Sequence, residues 1–206
     1  MSDPAYNTSA RPGRVGSGML IEFKETARPG LVSIIIPCYN AERFLVETLE
    51  SAFNQSYPHT EIIVVDDGSS DGTGELIRAY ADRVRAEFCP NGGVCTARNR
   101  GTALARGEFI QYLDADDLLA PDAIASRVVA LQKTGFDVAY SDWEKLIETK
   151  PGVFEVSKPI THRMEEVHPV AEIALITKFW APQAALIYRR TIVEKIGSWK
   201  EYAPGQ

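Results

Sequence analysis

From Leu31 onward, apolar residues arrive in short runs separated by amphipathic stretches, a βα rhythm. Val32 to Ile36 reads as a parallel strand covered on both faces. Pro37 is expected to end it, and Asn40 to cap a helix reaching about Gln55, with Leu45, Leu49, Ala52 and Phe53 on one face. Glu61 to Asp66 is the second strand, followed by a turn over 68–72 and a helix with Leu76, Ile77 and Tyr80 inward. A third strand is expected near Val84 to Phe88.

Val94, Ala97, Gly101, Leu104 and Ala105 form a narrow face of small side chains on the next helix, suited to close packing against a sheet, with Gly107 as its terminal glycine. Glu108 to Leu113 is the fourth strand. Pro121 opens a helix carrying Ile124, Val128 and Leu131 and closed by Gly135, and Phe136 to Tyr140 is the fifth strand. Beyond Ser141 the rhythm breaks. A hairpin across Lys150-Pro151-Gly152, a helix near 170–177, a strand near Ala184 to Tyr188 and a short helix before Gly197 are expected. The fold class is α/β, with a mostly parallel central sheet. Residues 1–30, rich in Gly, Pro, Ser and Arg toward the start, read as a disordered or loosely attached tail; 31–142 form the regular half and 143–206 a less regular one.

Composition changes this picture little. With 206 residues, 45% hydrophobic, there is material for one sizeable core. A net charge of -6 argues against nucleic acid as a partner, which would favour clustered Lys and Arg. Cys38, Cys89 and Cys95 form neither a disulfide framework nor a zinc pattern, which suits a reducing cytoplasm. No apolar run is long enough to span a bilayer, so the expectation is a cytoplasmic protein or one peripheral to the inner membrane face.

Ligands of open parallel sheets sit outside the carboxyl ends of the strands. After the first strand stand Pro37, Cys38, Tyr39 and Asn40; after the second, Asp66, Asp67 and Gly68; after the fourth, Asp114, Ala115, Asp116 and Asp117. Carboxylates crowded at a strand end repel unless a cation joins them, and hard oxygens suit Mg²⁺ or Mn²⁺. Such ions complete their shell with substrate phosphates, so a diphosphate-linked substrate is the natural partner. Asp117 and Asp122 are better explained as charges at the N-terminus of the following helix; Asp114 and Asp116 are the better ligands. Asp67 also fits a plain turn, Tyr39 a packing aromatic, and Gly92-Gly93 either a phosphate loop or an ordinary one. The histidines lack ligand spacing, and Trp143 and Trp180 fit packing better than sugar stacking.

The segments VSIIIPCYN (32–40), EIIVVDDGSSDGT (61–73), NGG (91–93) with ARNRG (97–101), and GEFIQYLDADD (107–117), in this order and spacing, resemble the family 2 inverting glycosyltransferases of the GT-A fold. Fainter similarity continues through AALIYRR (184–190) and IGSW (196–199). The resemblance implies a Rossmann-like α/β/α sandwich. It implies that Tyr39 stacks on a nucleobase, most often uracil, and that Asp67 bonds its ring N–H. Pro37 and Asn40 shape that pocket, Arg98 lies near the nucleotide, Asp114 and Ala115 contact it, and Asp114 and Asp116 hold the metal on the diphosphate. The substrates implied are a nucleotide-diphospho-sugar and a saccharide or lipid-linked saccharide acceptor, in surface polysaccharide or glycoconjugate synthesis. Inversion needs a general base, and in the family that acid follows the segment matching Ile196 to Glu201. It is therefore expected beyond Gln206, with little or no transfer from these residues alone.

Two other readings compete. A phosphoacceptor receiver domain would use Asp66, Asp67, Asp114, Ser141 and Lys158, but its acid pair ends the first strand, whereas here a strand and helix come before. A non-catalytic nucleotide-sugar-binding module shares every motif except the base. A dinucleotide-dependent dehydrogenase is disfavoured, because no GxGxxG follows the first strand.

Overall fold

The structure, a computed structural model, describes residues 21–160 and 181–200. β1 (Arg28–Cys38) lies at the middle of a six-stranded sheet, between β2 (Thr60–Asp66) and β4 (Gly107–Tyr112). β3 (Arg85–Phe88) extends the parallel part beyond β2. On the other side β8 (Leu186–Arg189) pairs antiparallel with both β4 and β5 (Val138–Tyr140), giving the order β3-β2-β1-β4-β8-β5.

The buried strands read as unbroken apolar runs because both faces are covered. Ile34, Ile36, Ile62 and Val64 point into one core, with Leu45 and Leu49 of α1 (Leu45–Phe53), Ile77 of α2 (Thr73–Ala79) and Ile124, Val128 and Leu131 of α4 (Ala123–Thr134). Their neighbours Ile35, Ile63 and Val65 point into the other, with Ala97 and Leu104 of α3 (Val94–Leu104) and Val193 of α5 (Arg190–Ile196). This is the α/β/α sandwich that the resemblance implies. The narrow face of α3 is used to the limit: a Cβ on Gly101 would overlap the Ile35 side chain.

Several boundaries differ from the sequence reading. Pro37 does not end β1 but lies inside it, opposite Val65. Pairing with β4 has stopped at Ile35, so the missing N–H costs no ladder bond on that side. Asn40 does not cap α1, which begins later with Phe44 at its N-cap and no side-chain cap. Gly107 is not a helix terminus either. It opens β4, where a Cβ would lie 2.6 Å from both the Ser33 nitrogen and the Phe109 oxygen. The fifth strand is shorter than expected, and it pairs with β8.

Residues 21–30 are not loosely attached. Ile21 and Phe23 pack against the core, Glu25 pairs with Arg85 at 2.8 Å, and Arg28 already belongs to β1. The hairpin forms as expected from β6 (Leu146–Lys150) and β7 (Val153–Val156). The expected helix near 170–177 and the earlier part of the tail lie outside the described residues.

Candidate donor site at the strand ends

Register sets the rim. Cys38 of β1 stands opposite Asp66 of β2, Asp66 opposite Phe88 of β3, and Ile35 opposite Tyr112 near the end of β4. The loops carrying Tyr39, Asp67 and Asp114–Asp117 therefore leave adjoining parallel strands at the same edge. Tyr39 is 56% exposed. Pro37 is buried.

Asn40 joins two of these loops. It adopts a φ of 50°, its backbone N–H donates to the Ser69 hydroxyl at 2.9 Å, and its Oδ1 accepts from the Ser70 N–H at 2.9 Å. An Asn tolerates this left-handed backbone and supplies the acceptor, so it shapes the rim as a cross-strut. Asp66 and Asp67 take different roles. Asp66 accepts from the Ser69 N–H and holds the turn.

Asp67 is 2% exposed, with Oδ1 accepting from the Gly92 N–H at 2.9 Å and Oδ2 from the Gly93 N–H at 2.8 Å. Gly93 has a φ of 87°, a conformation that glycine adopts without strain. The Gly92-Gly93 pair thus braces the Asp67 carboxylate between β2 and α3. Oδ1 also accepts from the Cys89 thiol at 3.7 Å, so the second acceptor position that remains beyond this clamp is on Oδ2. Sequence reasoning did not link these residues; the signal was a charged side chain and two adjacent glycines at successive strand ends.

The acidic cluster surrounds a cavity of about 310 Å³ lined by Asp114, Asp116, Asp117, Ala181, Pro182 and Gln183. Asp116 is exposed, while Asp114 and Asp117 are half-buried. The turn is closed by the Asp117 N–H donating to the Asp114 carbonyl at 3.0 Å. Buried Ala115 is fastened to α1 where its carbonyl accepts from the Thr48 hydroxyl at 2.9 Å. Asp117 is not at the start of α4, as the sequence suggested, but in the cavity wall. Burial, followed by the charges of Asp114 and Asp116, pushes its carboxyl up to about 6. Asp122 does stand at the N-cap of α4, without a side-chain bond.

The carboxylate oxygens lining this cavity are the hard donors that a divalent cation such as Mg²⁺ or Mn²⁺ takes. Among the described residues no closed cage of three His, Cys, Asp or Glu ligands is formed, and Mg²⁺ or Mn²⁺ needs only one or two protein carboxylates. Asp114 is already engaged, since Arg98 Nη2 donates to its Oδ1 at 2.6 Å. Asp116 is the acid most open to solvent.

The far wall depends on a residue that periodicity alone would set aside. Arg127, on α4, is 5% exposed. It donates to Gln111 Oε1 at 2.8 Å, to the Ala184 carbonyl at 2.7 Å and twice to the Ser141 hydroxyl. Gln111 in turn donates to the carbonyls of Gln183 and Ala184. This network ties the Gln183–Ala185 turn, which borders the acid cavity, to β4. Burial lowers the guanidinium to about 10, so it stays charged at neutral pH.

Comparison with known proteins identifies the family and the fold. The model of glycosyl transferase family 2 matches residues 33–196. An uncharacterized glycosyltransferase of Rickettsia typhi is 32% identical over 87% of this chain and 56% of its own length. Among solved structures, Staphylococcus aureus TarS 1-349 in complex with UDP-GlcNAc aligns over 80% of this chain and 47% of that one, at 23% identity and a TM-score of 0.63. The mannosyltransferase PcManGT of Pyrobaculum calidifontis, in complex with GDP-Man and Mn²⁺, aligns over 89% and 50%, at 22% identity and a TM-score of 0.58. The two structures share the fold, and the chain spans about half the length of the curated relatives it matches. The family motifs, the sheet order and the match over most of the sequence together establish that this chain belongs to glycosyl transferase family 2.

Proposed function

We propose that these residues form the donor-binding half of an enzyme that moves a sugar from a nucleotide diphosphate, UDP foremost, to a hydroxyl of a saccharide or lipid-linked saccharide. Transfer proceeds with inversion and with the help of Mg²⁺ or Mn²⁺, in surface polysaccharide or glycoconjugate synthesis. The observation that carries this reading is the placement of an exposed aromatic ring, a clamped carboxylate and an acid-lined cavity at adjoining ends of β1, β2 and β4. Tyr39 offers a ring face to the base. Asp67, its orientation fixed by Gly92 and Gly93, presents the remaining acceptor position of Oδ2 to a base N–H, as uracil provides. Pro37 and Asn40 hold the loop that frames the base.

Asp116, with Asp114 and Ala115 beside it, faces the diphosphate, and Arg98 keeps Asp114 in place. A cation held there would neutralise charge growing on the departing diphosphate. The acceptor hydroxyl loses its proton to a general base on the opposite face, a role given to none of the residues named here. The complexes of TarS with UDP-GlcNAc and of PcManGT with GDP-Man and Mn²⁺ support the donor class and the metal. Calorimetric titration of UDP with and without Mn²⁺ tests the proposal. Metal-dependent binding that is lost in Asp116→Asn is expected; equal binding with and without Mn²⁺, or an unaffected variant, refutes it.

A further inference from the structure

Arg98 is held unlike the other buried arginine near the cavity. Its side chain is 11% exposed, and its Nε is buried with no hydrogen-bond partner among the described residues. Arg127 donates through three nitrogens, whereas Arg98 reaches Asp114 through Nη2 alone. A contact through one terminal nitrogen fixes a distance but not the plane of the guanidinium. Trp199 supplies the plane: the guanidinium carbon lies 4.7 Å from the centroid of its ring.

Trp199 is itself latched to α3 from 100 residues away. Its N–H donates to Asn99 Oδ1 at 2.8 Å, and its carbonyl accepts from Asn99 Nδ2 at 2.9 Å. Its ring meets Tyr112 edge to face at 5.3 Å, and the Tyr112 hydroxyl is tied to that of Thr102, also on α3. Asn99 directly follows Arg98, so backbone and ring of Trp199 grip adjacent residues of one helix.

The geometry points to Trp199 as a positioning residue for the donor site, holding the Arg98 guanidinium flat so that Asp114 keeps one orientation at the acid cavity. This rests on the donor site proposed above. The test is UDP titration with Mn²⁺ into the 206-residue chain carrying Trp199→Leu, Trp199→Phe, Arg98→Met, or Arg98→Met with Trp199→Leu. Trp199→Leu is expected to weaken binding about tenfold, the size a partly buried cation–π contact supports, and Trp199→Phe, which keeps a ring, less than about threefold. In the Arg98→Met background Trp199→Leu is expected to cost nothing more. Wild-type binding by Trp199→Leu, or the same loss with and without Arg98, overturns the inference.

If the parent chain itself fails to bind UDP, the donor-site reading falls. The latch is then judged by thermal unfolding of the same variants. Less-than-additive shifts from Arg98→Met and Trp199→Leu support it, and additive shifts overturn it. Trp199→Met, bulky but without a ring face, replaces Trp199→Leu in either assay if the latter does not fold.

Discussion

Replacing Asp117 with Asn should stabilise the metal-free chain at neutral pH. The carboxyl stands at about 6 in the folded protein, against its usual 3.8, because it is partly buried and faces Asp114 and Asp116. A carboxyl raised in this way binds more proton folded than unfolded between those values, so stability falls as pH rises from about 4 to about 6. Above that window the whole cost persists. The rise corresponds to about 3 kcal/mol at 1.36 kcal/mol per pH unit, and roughly half survives screening in a cavity open to solvent. Asn keeps the shape and removes the charge. Urea unfolding of the two proteins should differ by about 1–2 kcal/mol at pH 7.5, and by about a third of that at pH 4.5. Excess Mn²⁺ should narrow the gap at pH 7.5, because the Asp117 charge beside the cation gives the parent chain a higher affinity for it than the variant has. A variant no more stable than the parent at pH 7.5, or a gap that widens toward low pH, would refute the reasoning.

Two further substitutions test the packing that carries the site. Gly101→Ala should destabilise by about 1–3 kcal/mol, because the new methyl would collide with Ile35 at the α3–β1 contact. Ile35→Ala in that background should recover part of the loss, as read by urea unfolding; simple addition of the two costs contradicts the clash. Arg127→Met should cost about 2–4 kcal/mol by stripping Gln111, Ser141 and the Ala184 carbonyl of their buried donor. It should also weaken UDP binding with Mn²⁺ through the loosened cavity wall. A variant as stable as the parent would mean that the network holds nothing.

Local patterns were the legible part of this chain. The apolar run at Val32–Ile36, the glycine ending α4 and the turn at Pro151-Gly152 are decided by residues near one another, and they fold as read. The insertion of β8 between β4 and β5 was not legible, because Val138–Tyr140 carries no signal for its neighbour; that pairing spans 46 to 50 residues, depending on the rung. Gly107 was misread since a glycine after a helix fits a cap as well as a tight seam, and only the approach of β1 distinguishes them. Arg127 interrupts an apolar helix face and would pass for a surface cation; its burial follows from carbonyls supplied by a distant turn.

At the rim, the strand-end rule pointed to Tyr39, Asp67 and the acids after β4, and these leave adjoining strands at one edge. The bracing of Asp67 by Gly92 and Gly93, and the Trp199 ring on Arg98, join segments about 25 and 100 residues apart, which no local pattern encodes.

The claim that one nucleotide spans this rim is open to a direct test by ¹H–¹⁵N NMR of the labelled chain. Adding UDP with Mg²⁺ should shift the amide signals of Tyr39, Gly92 and Gly93, and exchanging Mg²⁺ for Mn²⁺ should broaden those of Asp114 to Asp117. Shifts confined to another surface, such as the cavity beside Arg189 and Thr191, or broadening remote from the acids, would contradict it.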